Sequence, residues 1–199
     1  MYPGMNRLCL GFFAGLALCA GIAQAELDTA DPEAVVERLH RALEAISDTA
    51  LGERYQTLEA PVLETHDLDY MLQLILRGQW DGFSPEQQEQ LLARFRALSV
   101  QDYANHFGDL DEGQFKITGQ RQLGDQRAKV SAQLDTPKRQ IEFIYTLNRN
   151  QKGWRIVSIL ADGVSELALR RSEYLRHYNA EGFEGLMHAL DEQTRKSDS

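Results

Sequence analysis

Cysteine is almost missing from this chain of 199 residues; the two present, Cys9 and Cys19, both lie near the N-terminus. From Ala20 onward there is no thiol, which excludes disulfides, zinc–thiolate sites and cysteine nucleophiles from the bulk of the chain. Proline is scarce, at 5, and glycine stands at 15, too few for a collagen-like or low-complexity chain. Bases are the minority charge: 21 lysines and arginines against 30 acids give a formal net charge of −9. The basic footprint that nucleic-acid binding needs is absent, so no nucleic-acid partner is expected. The 43% hydrophobic content argues against disorder. The length suits one domain, or one domain with a small subdomain.

A long uncharged run occurs only at the N-terminus. Arg7 precedes an apolar stretch from Leu8 to Leu18, about the length of a signal-peptide core and short for a membrane span. Ala23-Gln24-Ala25 follows as an A-x-A cleavage site, and polar sequence begins at Glu26. The expectation is a signal peptide over residues 1–25, cleaved after Ala25, and a soluble exported protein. Cys19 invites a lipoprotein reading, but Leu18 before it is larger than such signals favour. Cleavage would remove both cysteines and Arg7, leaving 20 bases against 30 acids. Residues 26–193 are expected to form a single domain, with 194–199 a frayed tail.

The first half of that domain reads as helix. Asp31-Pro32 supplies a capping oxygen and a proline at the first helical position, before Val35, Leu39, Leu43 and Ile46 at helical spacing. A second helical stretch covers about Leu51 to Glu64, with Pro61 interrupting it or marking its end. A third runs from about Asp67 to Trp80. Ser84-Pro85-Glu86-Gln87 is a capping box that opens a long helix reaching Tyr103. After Gly108 the apolar period changes to two. Phe115 and Ile117 alternate with polar neighbours, as do Ala128, Val130, Ala132 and Leu134, then Ile141, Phe143, Tyr145 and Leu147. Trp154 to Ala161 makes a fourth strand, and Gly163 ends the sheet. Short turns imply a four-stranded antiparallel meander with one apolar face covered by helices, an α+β architecture. Val164, Leu167, Ala168, Tyr174 and Leu175 read as a helix, and Phe183 to Leu190 as a shorter one.

Signals of catalysis are faint. Gly163-Val164-Ser165-Glu166-Leu167 begins like a nucleophile elbow but lacks the second glycine, so Ser165 reads as a helix cap. The five histidines show no H-x-H or H-E-x-x-H spacing. His66 with Asp67 and Asp69 reads as a polar helix start rather than a metal cluster. The acidic pairs Asp109/Asp111 and Glu181/Glu184 read as loops or solvated helix faces. No catalytic residue, metal or cofactor is expected. The informative feature is an apolar surplus: Met71, Leu72, Ile75, Leu76, Trp80, Phe95, Leu98 and Tyr103 on helices, facing Phe143, Tyr145 and Trp154 on the sheet. Pattern alone reads first as a filled core and second as a ligand cavity.

The segments Ile75-Leu76-Arg77-Gly78-Gln79-Trp80, Ser84-Pro85-Glu86-Gln87-Gln88, Phe95-Arg96-Ala97-Leu98 and Tyr103-Ala104 follow one another in an order that resembles the MlaC family. So do Gly153-Trp154-Arg155-Ile156-Val157, Gly163-Val164-Ser165, Arg171, Tyr174 and Gly185-Leu186. Those proteins are periplasmic carriers in a system maintaining outer-membrane lipid asymmetry, also known as toluene-tolerance or ABC-transporter auxiliary proteins. The family often has an aspartate where Ser158 stands here, so no role of that acid transfers. The neighbourhoods of Trp154, Tyr103-Ala104 and Arg170-Arg171 also resemble the hopanoid-associated HpnM branch.

The resemblance implies a nuclear-transport-factor-2-like or cystatin-like sheet with a helical subdomain. It implies that a cavity lined by the residues named above, together with Val164, holds a phospholipid, or a hopanoid in the second branch. It further implies transient partners: an inner-membrane ABC transporter complex and an outer-membrane lipoprotein complex. Overall acidity is expected to keep the protein off anionic lipid surfaces. Arg170, Arg171 and Arg176 stand out as a basic stretch, either a solvated helix face or a contact for a phosphate or acidic partner. The rivals are an isomerase-like enzyme on the same sheet architecture, which would need an acid or histidine on the inner face, and a cavity-free interaction module.

Overall fold

The computed structural model describes residues 31–197 except 48, 109 and 111–112. The expected signal peptide and the acidic residues Asp109 and Asp111 therefore lie outside the described residues. Helix α1 (Pro32–Ala45) starts where Asp31 accepts from the N–H of Glu33 at 3.2 Å, and it buries Val35, Val36, Leu39, His40 and Leu43. Helix α2 (Leu51–Thr65) runs straight through Pro61, which neither interrupts nor ends it. A proline forfeits one backbone bond in a helix interior; Thr65 Oγ1 donates to the Pro61 carbonyl at 2.7 Å and supports the last turn. Helix α3 (Leu68–Ile75) is shorter than expected. Past Leu76 the chain turns through Gly78 at φ +91° into a 3-10 turn over Trp80–Gly82. Ser84 and Gln87 form the reciprocal capping box of α4 (Pro85–His106).

The sheet has five antiparallel strands in sequential order: β1 (Gln114–Gln122), β2 (Arg127–Asp135), β3 (Gln140–Asn150), β4 (Gly153–Ala161) and β5 (Val164–Ser165). The meander of four expected from sequence is thus one strand short. Asp162 and Gly163 both have positive φ, +48° and +77°. Such a two-residue turn folds the chain tightly back, so Val164 pairs with Ala161 and Ser165 with Leu160. Two residues are too few to display alternation, which is why this strand was not visible as a period. A register shift opposite Thr146 and Leu147 skips Val157, and β4 is buried at every position from Trp154 to Val157. Beside it the α2–α3 junction adds a parallel bridge from His66 to Ile156, with the Asp67 N–H donating to the Ile156 carbonyl at 3.0 Å.

Helix α5 (Glu166–Ser197) is two helices joined at Gly182, whose φ of +67° and ψ of −150° break the helical path. This matches the two helical segments expected there, and helical geometry continues to Ser197, into the stretch expected to fray. Val164, read as part of the helix, belongs instead to β5. The helices cover the sheet face bearing Ala128, Val130, Phe143, Tyr145 and Leu147, and the buried side chains form one contiguous cluster.

Candidate functional site

The sheet's inner face and the helices over it are lined with carbon. From the sheet come Phe143, Tyr145, Leu147 and Ile156; from α3 come Met71, Leu72 and Ile75; from α4 come Phe95 and Leu98. Of the twelve residues expected to line a ligand site, nine are buried in this cluster: Met71, Leu72, Ile75, Leu76, Phe95, Leu98, Phe143, Tyr145 and Trp154. Trp80 and Tyr103 are half-buried and pack against it. Val164 does not join them: it is 53% exposed on β5. The buried side chains form one contiguous apolar cluster. Two clefts on the surface lie elsewhere, at the two ends of the sheet, and include none of the twelve.

A row of rings crosses this interior. Phe115, Phe143 and Tyr145 follow one another at centroid separations of 6.0 Å, and Phe107 lies 6.0 Å from Phe115 and 6.4 Å from Phe143. Phe107 and Phe115 were not among the expected lining residues. Phe107 stands four residues after Tyr103, and its ring lies 5.8 Å from that of Tyr103; that helical spacing was the available signal.

Two polar pairs are set into the apolar wall. His40 Nε2 lies 3.0 Å from the Tyr145 hydroxyl, while its ring stacks on Phe115 at 4.1 Å. His66 Nε2 lies 2.8 Å from the Tyr103 hydroxyl, and its Nδ1 is close to the Val62 carbonyl and Thr65 Oγ1. Burial lowers both histidines from 6.5 to about 4; for His66 the nearby Glu166 charge and the Val62 carbonyl offset this in part. Burial likewise drives Tyr145 and Tyr103 above the usual phenol range. At neutral pH all four groups are uncharged and satisfied by one another, the condition under which polar groups can be buried cheaply. Sequence reading passed over His40, although it falls on the α1 stripe that carries Val36, Leu39 and Leu43.

Arg170 is a half-buried charge held by several partners. Its guanidinium pairs with Asp102 and with Glu166 (2.9 Å), donates to the Tyr174 hydroxyl at 3.3 Å and lies 5.6 Å from the Phe95 ring centroid. Burial works against its charge, but Tyr174, Glu166 and Asp102 outweigh that and raise its basicity. Burial pushes Tyr174 up to about 12, so at neutral pH the two carboxylates are what hold the cation. Arg170 is therefore an internal fastener between α4 and α5 and not part of an exposed basic stretch. Arg171 and Arg176 are exposed.

The other sequence candidates resolve simply. Asp67 accepts from the Tyr70 N–H and caps α3, Asp69 pairs with Arg96, and His66 points to Tyr103, so these three do not converge on a metal. Among the described residues no cluster of three or more His, Cys, Asp or Glu side chains could hold an ion. Ser165 Oγ accepts from the Ala168 N–H at 3.3 Å and acts as a helix cap. Glu142 is exposed on the outer face of β3, away from the interior. Glu181 and Glu184 are exposed. Among the described residues no helix is long and apolar enough to cross a membrane.

The chain is thus an α+β fold, an antiparallel sheet roofed by helices over an apolar, ring-lined interior. Residues 33–192 match the family described as MlaC protein, and the chain belongs to that family. Among solved structures it is similar to a phospholipid-binding protein from Ralstonia solanacearum, determined in complex with a phospholipid. The similarity has a TM-score of 0.76 at 19% identity and covers 85% of this chain and 100% of the other. No functionally curated protein matches the sequence.

Proposed function

We propose that this protein is a periplasmic lipid carrier. In this reading the layer between the sheet and α1, α3 and α4 receives the acyl chains of a phospholipid, and the head group stays in water. The protein would pass its cargo between an inner-membrane ABC transporter complex and an outer-membrane lipoprotein complex, and bind without catalysing. The observation that carries the reading is the continuous apolar interior, from Met71 and Ile75 on α3 to Phe143 and Tyr145 on β3, in a chain of the MlaC family. The phospholipid complex of the Ralstonia protein, which shares the fold, supports the choice of ligand.

The energetics suit a carrier. Two acyl chains present on the order of 30 methylenes, at about 0.8 kcal/mol each in water, so transit through water requires that they be covered. Leu72, Leu76, Phe95 and Leu98 are at most 1% exposed, so acyl chains must part the helices from the sheet to enter. His40 with Tyr145, and the Phe115 N–H donating to Glu44 Oε1 at 3.0 Å, are polar links between α1 and the sheet across that parting surface, whereas His66 with Tyr103 ties the end of α2 to α4. Loading would thus exchange side-chain contacts for acyl-chain contacts, which keeps the net affinity moderate and delivery possible.

The row of rings from Phe107 to Tyr145 favours a second cargo as well, because flat aromatic faces also suit a rigid polycyclic hopanoid. Extraction of the protein purified from periplasm, followed by mass spectrometry, separates the two. Phospholipid masses are expected; hopanoid masses would move the reading to the second cargo, and no lipid at all would overturn both. The same spectra, taken on intact protein, should lack residues 1–25.

A further inference from the structure

Charge in this chain is segregated. Residues 114–155, which make β1 to β3 and the start of β4, hold nine lysines and arginines against three acids, whereas the whole chain has 21 against 30. The pairing register collects five of these bases at one end of the sheet. Arg121 lies directly across from Lys129, and Arg127 across from Asn148. Arg149 and Lys152 stand at the β3–β4 turn, at the same end. All five are exposed, and none forms an ion pair with a carboxylate among the described residues. Arg127 Nε donates only to the neutral Asn148 Oδ1, at 3.3 Å.

Like charges directly opposite each other weaken a strand pair. Arg121 facing Lys129 is therefore a cost to folding that a binding role would offset. Between the two turns lies an open cleft of about 490 Å³, lined by Leu123, Asp125, Gln126, Arg127, Asn148 and Arg149. Asp125 is the one acid between Gln114 and Leu134. Leu123, 37% exposed, stands at the β1–β2 turn beside Gly124, whose φ of +104° makes the turn.

We propose that this end of the sheet docks the protein on an anionic phospholipid bilayer. Arg127 and Arg149 engage lipid phosphates, Arg121, Lys129 and Lys152 add long-range attraction, and Leu123 lies among the head groups. The choice of a bilayer over a protein rests on the carrier reading, since the cargo leaves and enters bilayers. It is also favoured by shape: the bases surround a hairpin end with a single exposed leucine, without the broad apolar centre of a protein interface. The guanidinium fork matches phosphate oxygens.

The net acidity of the chain does not oppose this docking. The screening length is about 8 Å at physiological salt, while a nine-residue strand such as β2 spans about 30 Å. Acids beyond that distance are screened from the surface once the basic end is in contact. Attachment by a few surface charges is salt-sensitive and reversible, as a shuttle requires.

The test is co-sedimentation of the purified full-length mature protein with vesicles of phosphatidylcholine alone or of phosphatidylcholine with phosphatidylglycerol. Binding to the anionic vesicles only is expected, with loss at high salt. The pair Arg127→Glu and Arg149→Glu should lower partitioning by roughly tenfold or more, given about fivefold per basic residue at an anionic surface. Leu123→Ser should lower it less. Lys116→Glu with Arg139→Glu, at the opposite end of the sheet, should leave it unchanged. Equal binding to neutral vesicles, no binding, or indifference to the Arg127/Arg149 pair would overturn the proposal. So would a wild-type protein that ignores vesicles while the pair abolishes binding to an acidic protein. A protein that carries lipid yet ignores vesicles overturns the dock alone; one that binds vesicles yet carries no lipid overturns the carrier reading and leaves the dock standing.

Discussion

Burial of His40 and His66 makes this fold sensitive to acid. Both titrate near 4 in the folded protein because burial disfavours their charged form, against 6.5 when exposed. Above pH 6.5 neither state binds the proton and there is no penalty. Between pH 6.5 and 4 the unfolded chain takes up protons that the native chain refuses, so stability falls as the pH falls, by at most about 3 kcal/mol per histidine. Urea midpoints at pH 7 and pH 4.5 should show this loss. His66→Gln, which keeps a hydrogen-bonding group for Tyr103, should make the pH slope shallower; an unchanged slope would show that His66 does not titrate this way. Arg170 gives a second residue-scale expectation. Arg170→Glu sets three carboxylates together in a half-buried site, and removing one partner of such a pair costs about 3 kcal/mol or more. Its urea midpoint should drop sharply, whereas Arg171→Glu, on an exposed side chain, should leave the midpoint within experimental error.

At the scale of elements, caps and periods were legible because they are local. Asp31-Pro32, Ser84-Pro85 and Asp67 start helices as their side-chain chemistry dictates. β1, β2 and β3 carry the expected alternation, since one side of each faces the core, whereas β4 is buried at four successive positions. What escaped were features carried by one or two dihedral angles. Asp162-Gly163 is a hairpin dipeptide, and reading it as such would have found β5 and taken Val164 out of the expected ligand wall. Gly182 divides α5 with a φ/ψ combination that only glycine adopts readily. A Cβ there would meet nothing within 4 Å, so Gly182→Ala is penalised by backbone strain and not by a clash. A loss of about 1–3 kcal/mol is expected, read as a lower urea midpoint. A midpoint equal to wild type would mean that the two halves of α5 can realign without cost.

For the molecule as a whole, the proposed carrier would exchange cargo through the same surface that holds the fold together. Opening α1 from the sheet would expose His40 to water and return it toward 6.5. Protonation below that value would therefore favour the open form. The groups facing His40 and His66 are uncharged tyrosines, with Glu166, Asp102 and Arg170 behind Tyr103. Transfer of a fluorescent phospholipid from the protein to acceptor vesicles should accordingly be faster at pH 5 than at pH 7. Replacing His40 with glutamine should flatten the difference, and replacing His66 should not. Equal rates for the wild type at the two values would separate exchange from the opening of this interface.

The sequence by itself determined which segments become helix or strand and which face of each is apolar, because those follow from spacing, capping and the two backbone periods. It also determined the excess of acid. Only the tertiary structure decided that His40 meets Tyr145, 105 residues away, and that His66 meets Tyr103. Only it decided that Arg170 is spent on Asp102 and Glu166 and that five bases without a carboxylate partner among the described residues gather at one end of the sheet. Such juxtapositions depend on strand register and on which helix face lands on which strand. Those are set by the summed burial of many side chains at once, and no single stretch of sequence contains that sum.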